Sequence, residues 1–151
     1  MNVFRAFISS HLVLCLAIFA WALAQVLKFL INLCFYGIRD PRLLLSSGGM
    51  PSSHSSTVCA CATSVGLRNG FQSDLFAISA VLAVVVMYDA CNVRRAVGDH
   101  AKVLNQMMGD WPAEEPIAVA LKELLGHTPS QVAAGALLGI LVGWGGVLLS
   151  R

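Results

Sequence analysis

Charge is what this chain has least of. Lys and Arg number 10 and Asp and Glu 8 in 151 residues, so 12% of the chain is charged and 57% hydrophobic. Average soluble domains carry about twice that share of charge. So few water-loving groups cannot cover a globular surface of this size. The composition excludes disorder, most soluble folds and a basic nucleic-acid-binding protein, and the net charge of +2 is too small to call for a polyanionic partner. Paired cysteines are also missing. The five are Cys15, Cys34, Cys59, Cys61 and Cys91, with no Cys-x-x-Cys among them. An odd number within apolar runs implies neither a disulfide framework nor a zinc site, and reads as small buried hydrophobes. The chain has no P-loop, no dinucleotide fingerprint and no low-complexity tract. Neither a cofactor nor a metal is called for.

What remains is long charge-free runs. Between Arg5 and Lys28 lie 22 residues without Asp, Glu, Lys or Arg. As a helix they reach roughly 33 Å, enough for a hydrocarbon core of about 30 Å. The run is too long for a simple signal peptide and has no clean cleavage site. Apolar residues continue past Lys28, so the helix is expected to extend to about Tyr36. From Ser55 to Leu67 the residues are small, among them Cys59, Ala60, Ala62, Ser64 and Gly66. Such a helix makes poor lipid contact and good helix contact, which puts it inside a bundle. Leu75 to Tyr88 is rich in Ala, Val, Leu and Ile, and Arg94 and Arg95 are expected to end that helix. Val97 to Met108 and Ile117 to Leu125 read as amphipathic segments around a break at residues 111–116. Thr128 to Ser150 is uncharged and carries Gly135, Gly139 and Gly143 at intervals of four.

The expected fold is all-α: a polytopic membrane helix bundle of about four transmembrane helices plus short amphipathic helices. It would form a single integral membrane domain over 1–151, with spans at 11–36, 53–68, 73–93 and 129–149. The expected location is a bacterial inner membrane or an organellar membrane. Four crossings gather Arg39, Arg42, Arg94, Arg95, Lys102 and Lys122 on one side, against Arg5, Arg68 and Arg151 on the other. By the positive-inside rule the first side faces the cytoplasm.

Two helix starts share that richer side. Gly48-Gly49-Met50-Pro51-Ser52-Ser53-His54-Ser55 opens the second span, and Gly126-His127-Thr128-Pro129-Ser130-Gln131 opens the fourth. Each has hydroxyl residues suited to an N-cap, a Pro and a His near the first turn. Helix N-termini present unpaired N–H groups and partial positive charge. Two of them converging among cations make a site for an anion such as phosphate. Ionisable groups are costly in a membrane and usually serve a purpose. Each start alone is equally readable as an ordinary capped helix.

These segments, together with Val86-Met87-Tyr88-Asp89-Ala90, Val93-Arg94-Arg95 and Leu121 to Pro129, resemble the divergent branch of the phosphatidic acid phosphatase type 2 superfamily. That branch is also labelled acid phosphatase/vanadium-dependent haloperoxidase-related. The resemblance runs from about residue 10 to residue 145. The parent superfamily has Pro-Ser-Gly-His, matched by Pro51, Ser52, Ser53 and His54 with Ser53 in the Gly position. Its third motif pairs an Arg with a His and then, four residues on, an Asp. His127 matches the His, Lys122 lies near the Arg position, and Gln131 stands where Asp is expected. For the first motif Lys28 is a candidate, while Arg39 and Arg42 lie farther away than the pattern asks.

The resemblance implies metal-independent hydrolysis of a lipid phosphate or diphosphate. His127 would be the nucleophile and His54 the general acid. Ser52 and Ser53 would cradle the phosphate, and Arg94, Arg95, Lys122 and Lys28 would neutralise it. Asp89 or Glu123 would substitute for the missing carboxylate, with Gln131 in support. The plainer reading of Asp89 is an ion pair with Arg94 or Arg95, and that of Lys28 is snorkelling to the interface. His100, six residues after Arg94, mimics the third-motif spacing by coincidence. The expected partners are membrane lipid and a lipid phosphate substrate, with no nucleic acid. The rival reading is a catalytically inactive subunit of a larger membrane complex or a homo-oligomer, with the glycine stripe mediating association. A small transporter or flippase ranks third, since four spans leave little room for a gated path.

Overall fold

The computed structural model describes residues 7–37, 48–109, 121 and 125–150. Within these, all the regular structure is helical. The helices are α1 (Leu12–Tyr36), α2 (Ser53–Asn69), α3 (Asp74–Cys91), α4 (Val93–Gly109) and α5 (Pro129–Leu149). Local sequence sets their ends. Gly37 closes α1 in the left-handed conformation, φ 65°, with its N–H on the Asn32 carbonyl. Ser52, Ser73 and Thr128 cap α2, α3 and α5, each hydroxyl accepting a backbone N–H from the first turn.

Among the described residues three stretches are long and apolar enough to cross a membrane: Leu12–Phe35, Asp74–Met107, which takes in α3 and all but the last two residues of α4, and Pro129–Leu149. The bundle is inverted relative to a soluble protein. Large side chains such as Phe19, Ile78, Val84, Leu137, Leu141 and Trp144 face outward. The interior is made of Ala20, Ala24, Ala60, Ser55, Ser56 and Ser64. Lipid tails are as apolar as Leu, so little is gained by hiding large side chains, and tight contact between small residues holds the helices instead.

α2 occupies the centre and packs on α1, α3 and α5. The Ser56 hydroxyl donates to the Ala20 carbonyl, 3.1 Å away on α1. Against α5 the two backbones come very close. A Cβ built at Gly135 would lie 2.3 Å from the Ser52 carbonyl oxygen, and one at Gly139 2.2 Å from that of Ser56. The glycine stripe therefore does not face a partner protein, as the rival reading expected. It is consumed inside the chain, at the α2–α5 contact. The pairing is also parallel: Gly135 meets Ser52, Gly139 meets Ser56 and Gly143 meets Ala60 in order. Both helices thus begin at the same end of the bundle.

Arg94 and Arg95 do not terminate a helix; they belong to the first turn of α4. The break falls at Asn92, whose side-chain amide donates to the Tyr88 carbonyl at 3.2 Å. An Asn that bonds its own helix backbone competes with regular continuation.

Candidate active site

The site begins with a sharp turn before α5. Gly126 has φ 82°, and a Cβ there would lie 2.4 Å from the Arg95 backbone nitrogen. Only glycine lets this turn press against the α3–α4 junction. Next in sequence, the His127 N–H donates to the Ala90 carbonyl at 2.9 Å, tying the residue to the end of α3. His127 is 2% exposed.

The side chain of Gln131 decides the state of the His127 ring. Its Oε1 accepts the Thr128 backbone N–H at 3.1 Å as part of the α5 capping box. A backbone N–H can only donate, so the amide atom at that point is the oxygen. The same Oε1 lies 3.2 Å from His127 Nδ1. Nδ1 must therefore carry the proton, which leaves Nε2 with its lone pair. That Nε2 is buried and makes no well-formed hydrogen bond with the described residues, although the Gly49 backbone lies close to the ring. Burial pushes the His127 pKa below the usual imidazole value; the Gln131 hydrogen bond and, more weakly, the Gly49 backbone pull it upward, and the nearby Lys28 and His54 push it down. Desolvation is the largest influence, so the ring is neutral at pH 7.

The α2 start meets this ring from the other side. The Ser52 N–H donates to the Gln131 carbonyl at 3.0 Å, joining the two helix starts directly. Two residues on, the His54 ring centroid lies 6.2 Å from that of His127, with 62° between the planes. His54 Nδ1 is buried and has no hydrogen-bond partner among the described residues. Two buried imidazole nitrogens without well-formed hydrogen bonds at one place invite a ligand, because leaving a buried polar atom unsatisfied costs about 1–3 kcal/mol.

The expected phosphate ligands fare differently. Lys28 is fully buried, its Nζ donating to Gln25 Oε1 at 2.8 Å, so it does not snorkel. Its stem lies under Gly49, whose φ of 91° and missing Cβ allow the close approach. Lys28 charge bears on both imidazoles. Ser52 and Ser53 are buried at the helix start. Ser52 is occupied with structure, its N–H on Gln131 and its hydroxyl accepting from Ser55 N and Oγ. Arg94 and Asp89 form an ion pair, with side chains 47% and 36% exposed. The Asp89 carboxylate is thus taken up by Arg94 and makes no hydrogen bond with His127. The Arg95 backbone supports the Gly126 turn and its side chain is exposed. Lys122 and Glu123 lie outside the described residues, as do Arg39 and Arg42. Gln25, Gly49 and Gly126 were not assigned roles from the sequence. Gln25 had a readable signal, since it lies one helical turn before Lys28 in an otherwise apolar span.

A family model described as the divergent PAP2 family matches residues 9–142. The chain belongs to this family. The matched region takes in α1 to α4, both histidine-bearing helix starts and most of α5. The chain is also 44% identical to the uncharacterized membrane protein YuiD of Bacillus subtilis (strain 168), over 79% of its own length and 83% of that protein. No solved structure matches it. The apolar helices, the family and this relative together make the protein an integral, multi-pass membrane protein.

Proposed function

We propose that this divergent PAP2 protein is a membrane phosphatase that hydrolyses a lipid phosphate or diphosphate through a phospho-histidine intermediate. The observation that carries the proposal is the buried Nε2 of His127, whose ring Gln131 orients through Nδ1, with the His54 ring 6.2 Å away. Nε2 attacks phosphorus, and the bond from phosphorus to the leaving oxygen breaks. A proton from His54 passes to that oxygen. Water then attacks the phospho-histidine and returns a proton to His54, releasing inorganic phosphate and free His127. Lys28 and the first-turn N–H groups of α2 balance charge on the phosphoryl oxygens. A headgroup at this end of the bundle keeps its acyl chains in lipid. Arg94, Arg95 and Lys122 are proposed to attract the anionic headgroup.

Gln131 does half of what a carboxylate does in this position. It fixes the tautomer but supplies no charge to stabilise the imidazolium. This supports a slower enzyme and also favours one rival: a non-catalytic protein that keeps an anion pocket. Phosphate release from lipid phosphates by the purified protein in proteoliposomes separates the two. The expected result is turnover that vanadate inhibits and that His127→Ala abolishes, with His54→Ala lowering it by roughly 10²–10⁴-fold. Equal turnover by both variants refutes the phosphatase reading. Vanadate binding without any turnover favours the non-catalytic one.

A further inference from the structure

Beyond its first turn, which brings Arg94 and Arg95 to the site, α4 takes no part in it, yet among the described helices it is the most strongly two-faced. Its spacing places Val93, Val97, Leu104 and Met107 on one stripe, with His100 among them. All five side chains are exposed. Arg95, Asp99, Lys102 and Gln106 fall on the opposite face and are exposed too. A third edge is already covered: Gly98 and Ala101 are buried, and the Asn105 side chain donates to the Leu121 carbonyl and accepts its N–H, both at 2.8 Å. α4 packs on α3 and has no packing contact with α1, α2 or α5. Among the described residues, then, nothing covers the stripe.

We infer that α4 lies in the plane of the membrane surface, its Val93–Val97–Leu104–Met107 stripe seated at the acyl boundary and Arg95 and Lys102 among anionic lipid headgroups. Two observations choose this occupant. First, one residue separates α4 from α3, whose outward face of Ile78, Val81, Val84 and Val85 is lipid-facing. The apolar stripe thus starts where lipid contact already exists. Second, the polar face carries two cations and one carboxylate, a balance that suits anionic headgroups. Gly126 presses on the Arg95 backbone, so this surface adjoins the His127 turn. The inference holds whether or not His127 carries a phosphoryl group.

Photo-crosslinking of the full chain tests it. A benzophenone side chain is placed singly at Val97, Leu104, Lys102 or Gln106, and the protein is held in nanodiscs of mixed phosphatidylcholine and phosphatidylglycerol. Intact-mass analysis then identifies the adducts. Lipid adducts are expected at positions 97 and 104 and not at 102 or 106, with phosphatidylglycerol enriched over its bulk share. With the label at 104, Lys102→Glu should reduce that enrichment by roughly fivefold or more. Adducts to a second copy at 97 and 104 would mean that protein covers the stripe, and lipid adducts in equal yield on both faces would mean that lipid surrounds α4, as in a continuation of the α3 span. Either result overturns the inference, and enrichment that ignores Lys102→Glu overturns its anionic-headgroup half.

Discussion

α2 and α3 are consecutive and of nearly equal length, 17 and 18 residues, yet they are built oppositely. α3 is almost wholly apolar, and only Ala83 and Ala90 are buried along it. α2 begins Ser-His-Ser-Ser and buries eight residues, all small. In water the greasier helix would be the core. Here lipid takes the large side chains, and the position closest to every neighbour goes to the helix with the least to offer lipid. Catalytic candidates follow the same division. Polar groups that lipid would penalise are collected where backbones meet, around the starts of α2 and α5.

The comparison can be broken most sharply at Gly139. Replacing it by Leu puts a side chain where a Cβ alone meets the Ser56 carbonyl at 2.2 Å. Overpacking typically costs about 1–3 kcal/mol for added methylenes, and a backbone clash costs more. Loss of the folded detergent-solubilised species, read by size exclusion and thermal unfolding, is the expected outcome. Retention of full stability would mean that α2 and α5 are not packed as described.

Lys28→Met comes next. It removes a buried cation together with its hydrogen bond to Gln25. If the buried cation serves an anion, activity and vanadate affinity should fall by at least tenfold while the protein stays folded, since Met fills a similar volume. Unchanged vanadate affinity would assign Lys28 a purely structural role.

Gln131→Glu sharpens the account of the nucleophile. Glu can still complete the capping box and adds a charge beside the ring. Wild-type His127 has a pKa below the usual value near 6.5, so its neutral form persists through pH 6.5 and sets an acid limb below it, while His54, whose pKa burial also lowers, must keep its proton to act and sets a fall in activity as pH rises. Stability follows the sign of the acid limb: the unfolded imidazole takes up a proton near pH 6.5 before the folded one does. Stability is therefore present above that pH and lost as pH drops through the folded value. In Gln131→Glu the acid limb of kcat/KM should move to higher pH. A limb that does not move would show that another group sets it.

The smallest effect belongs to α3. Val84→Leu or Val85→Leu on its exposed face should change stability by less than about 0.5 kcal/mol, checked by the same unfolding measurement. A large loss there would mean that protein, and not lipid, covers that face.

Much of this division was legible in the chain itself. Charge-free runs mark α1, α3 and α5 because a bilayer tolerates few charges in a span. Small residues mark α2 as interior, and the His54 and His127 segments stand out because each joins a cap, a Pro and an imidazole. Three features were out of reach for the same reason, that they depend on backbone proximity. The glycine stripe reads equally well as an inner or an outer contact until a neighbour is known. Gly126 and Gly49 matter only because Arg95 and Lys28 happen to lie against them. The helix boundary at Asn92 coincides with a side-chain bond to Tyr88, and no periodicity announces it.

The most direct test of the account is to trap the covalent intermediate. A phosphate-labelled lipid substrate is mixed rapidly with the wild-type protein, quenched in alkali and digested, and the labelled peptide is identified. The account predicts an acid-labile, alkali-stable phosphoryl group on His127, absent from His127→Ala. Turnover with no such label, or a label on any other residue, would contradict it.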